Sequence, residues 1–263
     1  MRKRSAVLLL IGLFILSFNA TPEVAGYSGF PYPGSTVTWR IDVAPTDITI
    51  MYYSEGGNMR AQDGSLMRCE VSSYANDVSG MFAVGNVTVF ANDTEIARDL
   101  VLGVWGTPTE WWPGLFIEPG QSSANSQNET AYAAAERVAG NYLNGTMTSR
   151  YDSVSVEIWN RTSQAYDIVE EECIIFDYEQ DPPAFGEPQI THLAYSLNSG
   201  VLVKANTSYS FGIPYNLVLS LQEILPPQPV DFNPDLRIMI TMVGLIGGGF
   251  LAIVVVVILK SRK

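Results

Sequence analysis

Residues 238–259 form a run of 22 residues without a charge, and it ends on Lys260-Ser261-Arg262-Lys263. At about 1.5 Å rise per residue, a helix of that length reaches about 33 Å, enough for a hydrocarbon core of about 30 Å. The run is apolar on every side, which suits lipid better than the one-sided burial of a core helix. Three basic residues in the last four put the C-terminus in the cytoplasm by the positive-inside rule. The chain is therefore expected to cross a membrane once, from Ile238 to Leu259, with a cytoplasmic tail at 260–263.

The other end fits the same topology. Arg2, Lys3 and Arg4 precede an apolar run from Ala6 to Phe18. That run is short for a span and reads as the core of a signal peptide over 1–20, with cleavage near Ala20 and a retained anchor as the alternative. The expected arrangement is single-pass type I in the cell membrane, with the N-terminal domain extracellular.

Charge follows the same division. The chain has 15 Lys and Arg against 27 Asp and Glu. Between residues 21 and 236 only eight basic side chains face all 27 acidic ones, a net of −19, and Lys204 is the sole lysine there. Such an exterior excludes nucleic acid as a partner. A hydrophobic content of 47% excludes a disordered chain.

Export changes the reading of two residue types. Cys69 and Cys173 would meet an oxidising compartment, where a lone pair is expected to form a disulfide. Closing a loop of about 100 residues is worth about 4–5 kcal/mol in the chain-entropy model. Two separate buried thiols are the alternative. Asn-x-Ser/Thr sequons occur at Asn86, Asn92, Asn128, Asn144, Asn160 and Asn206, where chance predicts about two. Glycosylation of several is expected.

Short alternating stretches rich in Val, Ile, Thr and aromatics read as strands over 35–42, 47–53, 66–73, 80–84, 86–91 and 95–103. More follow at 153–159, 164–178, 189–196, 201–209 and 215–223. Leu197-Asn-Ser-Gly200 is a hairpin turn, so the last three strands form an antiparallel meander. Residues 120–127 read as flexible, and one helix is expected at 129–139, carried by four alanines and ended by Gly140. The expected fold is mainly β, an antiparallel curved sheet or sandwich of about ten strands with one packed helix, over 27–224. Four prolines make 225–237 a semi-rigid stalk.

Two motifs carry a resemblance: Gly34-Ser-Thr-Val-Thr-Trp39, and Leu193-Ala-Tyr195 followed by a turn and Gly200-Val-Leu202. With the terminal segments, they make the chain resemble archaeal-type exported single-pass membrane proteins with a β-rich ectodomain. The second motif is also similar to the paired strands of LolA/LppX-like lipoprotein carriers, which implies a curved sheet wrapped around a helix.

Catalytic machinery is sparse. No Gly-x-Ser-x-Gly and no phosphate-binding Gly-rich loop is present, and His192 is the only histidine, expected as a satisfied surface residue. One histidine with two paired cysteines makes zinc implausible. Asp167, Glu170, Glu171, Glu172, Asp177, Glu179 and Asp181 put seven acids in fifteen residues. They are read first as a solvated edge that blunts strand pairing, with calcium or a glycosidase-like Asp177/Glu179 pair as alternatives. Trp105, Trp111, Trp112, Leu115 and Phe116 crowd one loop. They are expected either to plug one end of the core or to form the rim of an apolar pocket or a patch dipping into the membrane interface. Gly244 and Gly248 form Gly-x-x-x-Gly, which permits pairing of two membrane helices as a homodimer.

The expected function is a membrane-anchored cell-surface protein, a non-enzymatic structural or interaction module without cofactor or metal. The alternative is a LolA-like binding module for a lipid or other apolar ligand near the membrane surface.

Overall fold

A computed structural model describes residues 31–50, 57–75, 77–104, 110–135, 145–181, 186–210 and 214–227. The signal peptide, the membrane helix with Gly244 and Gly248, the tail, most of the stalk, Trp105 and Asn144 lie outside the described residues. Among those described, no helix is long and apolar enough to cross a membrane.

Eleven strands and two helices are described. β1 (Thr36–Val43), β4 (Leu66–Tyr74), β5 (Val78–Val84) and β6 (Val87–Asn92) come early, with a small separate pair, β2 (Asp47–Ile50) and β3 (Gly57–Arg60). After α1 (Asp93–Asp99) and α2 (Gln121–Ala135) come β7 (Gly145–Asn160), β8 (Ala165–Gln180), β9 (Ile190–Ser196), β10 (Leu202–Ser210) and β11 (Pro214–Leu225). Nine strands make one antiparallel sheet in the order β6-β5-β4-β1-β11-β10-β9-β8-β7. The meander expected for the last three strands is present as β9-β10-β11. The sheet curls enough that β7 packs against β11, although three strands separate them in that order.

Alternation decides which face turns inward. In β1, Val37, Trp39 and Ile41 are fully buried, and they align with Cys69 and Met67 of β4 and with Leu219 and Leu221 of β11. Phe176, Leu193, Tyr195 and Leu217 continue this inner face across β8, β9 and β11. Arg40, Leu66, Arg68 and Lys204 lie on the other side.

Three expectations are corrected. Residues 95–103 do not form a strand. Asn92 opens a helix instead, with its backbone N–H donating to the Glu95 carboxylate at 3.3 Å, while Ile96 and Ala97 face the core. The second helix begins at Gln121, eight residues before the expected start, so 121–127 is helical rather than flexible. Its Ala124, Ala131, Ala134 and Ala135 are buried, and small side chains let it lie close to β7 and β8. Finally, both cysteines are buried free thiols. Cys69 lies on β4 and Cys173 on β8, with β1, β11, β10 and β9 between them. The two strands do not pair, so no ladder contact sets the two sulfurs side by side.

Candidate interaction surface

The aromatic loop is a plug. Trp111, Leu115 and Phe116 are buried, and Trp112 is half-buried. Trp111 meets Phe176 edge to face at 5.0 Å, Phe116 meets Trp39 at 5.7 Å, and Phe176 meets Tyr195 at 6.3 Å. These rings pack against one another on the inner face of the sheet.

The backbone of the plug is held by one carboxylate. Asp93, 1% exposed, accepts the Val78 N–H at 2.9 Å on one oxygen and the Leu115 and Phe116 N–H groups at 2.8 and 3.0 Å on the other. Burial, together with the neighbouring Asp77 carboxylate, pushes Asp93 up to about 9, against the pull of the backbone donors. Strand-like bonds complete the attachment: Ile117 N to Gly200 O at 2.8 Å and Leu202 N to Leu115 O at 2.9 Å. The residues of the two sequence motifs meet here as well. The Trp39 indole donates to Leu202 O at 2.7 Å, and the Tyr195 hydroxyl donates to Gly114 O at 2.8 Å. Further along, Val101 sits at φ +59°, a costly position for a β-branched residue. It is fixed by the buried Thr207 hydroxyl donating to its carbonyl at 2.9 Å.

The acidic stretch is of a different kind. Ahead of Cys173, over residues 165–172, β8 pairs only with β7, forming a ribbon whose tip is residues 161–164. Every residue from Arg161 to Glu170 is exposed, including Tyr166, Val169 and Ile168, the last 72% exposed. Along β7 the contacts are closer: Val156 is buried and Val154, Ile158 and Trp159 are half-buried. Arg161 at the tip forks onto Glu223 of β11 at 2.5 and 3.1 Å, and Arg40 reaches Glu157 at 3.4 Å. The Asn160 side chain closes the turn, accepting from the Thr162 and Ser163 N–H groups at 2.9 and 3.2 Å and donating to Asp167 at 2.7 Å.

Between the ribbon and the sheet lies a cleft of about 730 Å³ lined by Leu66 of β4 and by Trp159, Arg161, Gln164, Tyr166, Gln222 and Glu223. None of these residues stood out in the sequence. The one available signal was the hairpin register, which sets Trp159 directly across from Tyr166.

The remaining candidates divide cleanly. His192 is tied through Nδ1 to Asp177 at 2.5 Å, and Arg150 bonds the other Asp177 oxygen. Burial raises the Asp177 pKa, but the His192 ring and the Arg150 guanidinium outweigh it and hold the carboxyl below its ordinary value. Asp177 is thus committed to an ion pair on the outer face, while Glu179 stands exposed beside it. Among the described residues no group of three or more His, Cys, Asp or Glu side chains could hold a metal ion. Of the sequons, Asn86 in the β5–β6 turn and Asn206 on β10 are exposed. Asn92 accepts the Ser79 hydroxyl at 2.7 Å, Asn160 closes the ribbon turn, and Asn128 is half-buried within α2.

Comparison with protein families, curated proteins and solved structures gives no match to this chain.

Proposed function

We propose that the chain is a membrane-anchored cell-surface protein whose ectodomain is a non-enzymatic interaction module, and that the β7–β8 ribbon is what it presents. One observation carries the reading. From Arg161 to Glu170 the chain exposes both faces of a strand, with Tyr166, Ile168 and Val169 among them, while the aromatics of the plug are buried. Over 165–170 only β7 pairs with this strand, so the exposed apolar residues on it suit contact with something outside the domain. The uncharged run at 238–259 and the net −19 exterior support a place at the membrane surface. Asn86 and Asn206 are the sequons best placed to carry glycans, since neither amide is needed for a turn or cap.

The test is photocrosslinking of the full chain in its own membrane, with benzoylphenylalanine placed at Ile168 and, as a control, at Phe90 on the opposite edge strand β6. A discrete adduct from Ile168 and none from Phe90 is the expected result. No adduct from Ile168, or the same pattern from both, overturns the reading.

A further inference from the structure

The cleft at the foot of the ribbon has a chemistry of its own. Its aromatic wall is Trp159 and Tyr166, set edge to face with centroids 5.0 Å apart. Its polar groups are two carboxamides, Gln164 and Gln222, and the Arg161–Glu223 pair. Gln222 donates through Nε2 to the Tyr166 hydroxyl at 3.0 Å, which fixes its side chain, while its Oε1 is buried with no hydrogen-bond partner. An acceptor left in that state costs free energy until a donor reaches it. Gln164 sits at φ +52°, the left-handed position that closes the 161–164 hairpin turn at the mouth of the cleft.

Each of these features narrows the ligand. An anion is disfavoured, because the only cation lining the cleft is already neutralised by Glu223 and the surrounding domain is strongly acidic. A cation meets the same neutralised pair. An alkyl chain would strand two carboxamides and an ion pair against hydrocarbon. What fits is a neutral molecule with C–H faces to lie against aromatic rings and hydroxyls that both donate and accept, because carboxamides offer both functions. The volume falls within the range of ordinary ligand sites and holds more than a single sugar ring. We infer that this cleft is a binding site for a neutral oligosaccharide. In that site Trp159 and Tyr166 pack against the pyranose rings, and the Gln222 and Gln164 carboxamides exchange hydrogen bonds with sugar hydroxyls.

The inference stands apart from the protein contact proposed for the ribbon, because crosslinking at Ile168 reads one and saccharide binding reads the other. The full chain is reconstituted in lipid nanodiscs, since sugar-based detergents would compete. It is titrated with maltotriose, cellotriose and mannotriose at millimolar concentration, and binding is read by saturation-transfer NMR and tryptophan fluorescence. At least one neutral trisaccharide is expected to bind, and trigalacturonic acid more weakly. Gln222→Ala is expected to weaken binding about tenfold, the loss of one hydrogen bond at roughly 1.4 kcal/mol per decade. Gln164→Gly guards against a folding artefact, because it removes the carboxamide while relaxing the backbone, and it too should weaken binding. Failure of all three neutral sugars to bind overturns the inference, as does binding that both variants leave unchanged.

Discussion

The plug and the ribbon are built from similar material and used in opposite ways. Both bring aromatics and a carboxylate against the sheet. In the plug, Asp93 is almost fully buried, satisfies three backbone N–H groups and has packed rings around it. In the ribbon, the Arg161–Glu223 clasp has one partner 62% exposed and the other 12%, and of the neighbouring rings Tyr166 is exposed and Trp159 half-buried. The domain places its irreplaceable hydrogen bonds where water cannot substitute for them. It leaves the ribbon held by contacts that water and salt can replace. Stability resides in the first region and availability for contact in the second.

The largest expected effect tests the first half of that statement. Asp93→Ala strands three buried N–H donors, each worth about 1–3 kcal/mol when left unmade. A loss of about 4 kcal/mol or more is expected in urea unfolding, and the protein will not accumulate if the loss exceeds its reserve. A loss below about 1 kcal/mol would mean that the rings alone hold the plug.

Glycines sharpen the point at smaller scale. At Gly114 (φ +87°) an added Cβ would stand 2.2 Å from Asp93 Oδ2, and at Gly200 (φ +69°) it would stand 1.9 Å from Ile117 O. At Gly64 (φ +83°) it meets nothing within 4 Å. Gly64→Ala should therefore cost only the backbone strain, about 1 kcal/mol, and each plug glycine roughly 2–3 kcal/mol more. Equal costs at the three sites would remove the plug's claim to tighter packing.

The plug and the Asp177 ion pair on the outer face of the sheet should also answer pH in opposite directions. Asp93 has a folded pKa raised to about 9, so the folded state binds its proton more tightly than the unfolded chain does. That contribution is complete below the ordinary aspartate value and is lost as pH climbs toward 9. Asp177, lowered by His192 and Arg150, contributes above the ordinary aspartate value and loses its effect as pH falls through the folded value, below about 4. Thermal melts should thus show an alkaline decline that Asp93→Asn flattens and an acid decline that Asp177→Asn flattens. Exchange of those two assignments would contradict the account of both sites.

Much of the sheet could be read from residue pattern alone, because alternation of apolar and polar side chains survives whatever the strands later pair with. Trp39 between Val37 and Ile41, and the Leu197–Gly200 turn, suffice for β1 and the β9–β10 hairpin. The misreadings share a physical cause. Residues 95–103 alternate well enough to suggest a strand, yet the Asn92–Glu95 cap and the burial of Ile96 and Ala97 favour helix. The role of Asp93 depends on N–H groups 15 to 23 residues away. The cleft joins β11 to a ribbon tip some 60 residues earlier. The disulfide was inferred from compartment and count, which carry no information about strand order.

The smallest effects separate the two regions most directly. Burial raises both thiols, Cys173 to about 12 and Cys69 further still, so neither reacts until its surroundings open. Cys69 lies between β1 and β5 within the core, and Cys173 sits where the ribbon leaves β9. Because stability differs from place to place in a fold, the thiol at the ribbon root should label with Ellman's reagent faster than Cys69. Removing the clasp with Arg161→Ala should cost only about 1 kcal/mol in global stability, as expected for an exposed ion pair. It should nevertheless speed labelling of Cys173 in a Cys69→Ser background and leave Cys69 unchanged in the Cys173→Ser background. Acceleration at both positions would mean that the ribbon and the plug open as one unit, and the division of labour drawn between them would fail.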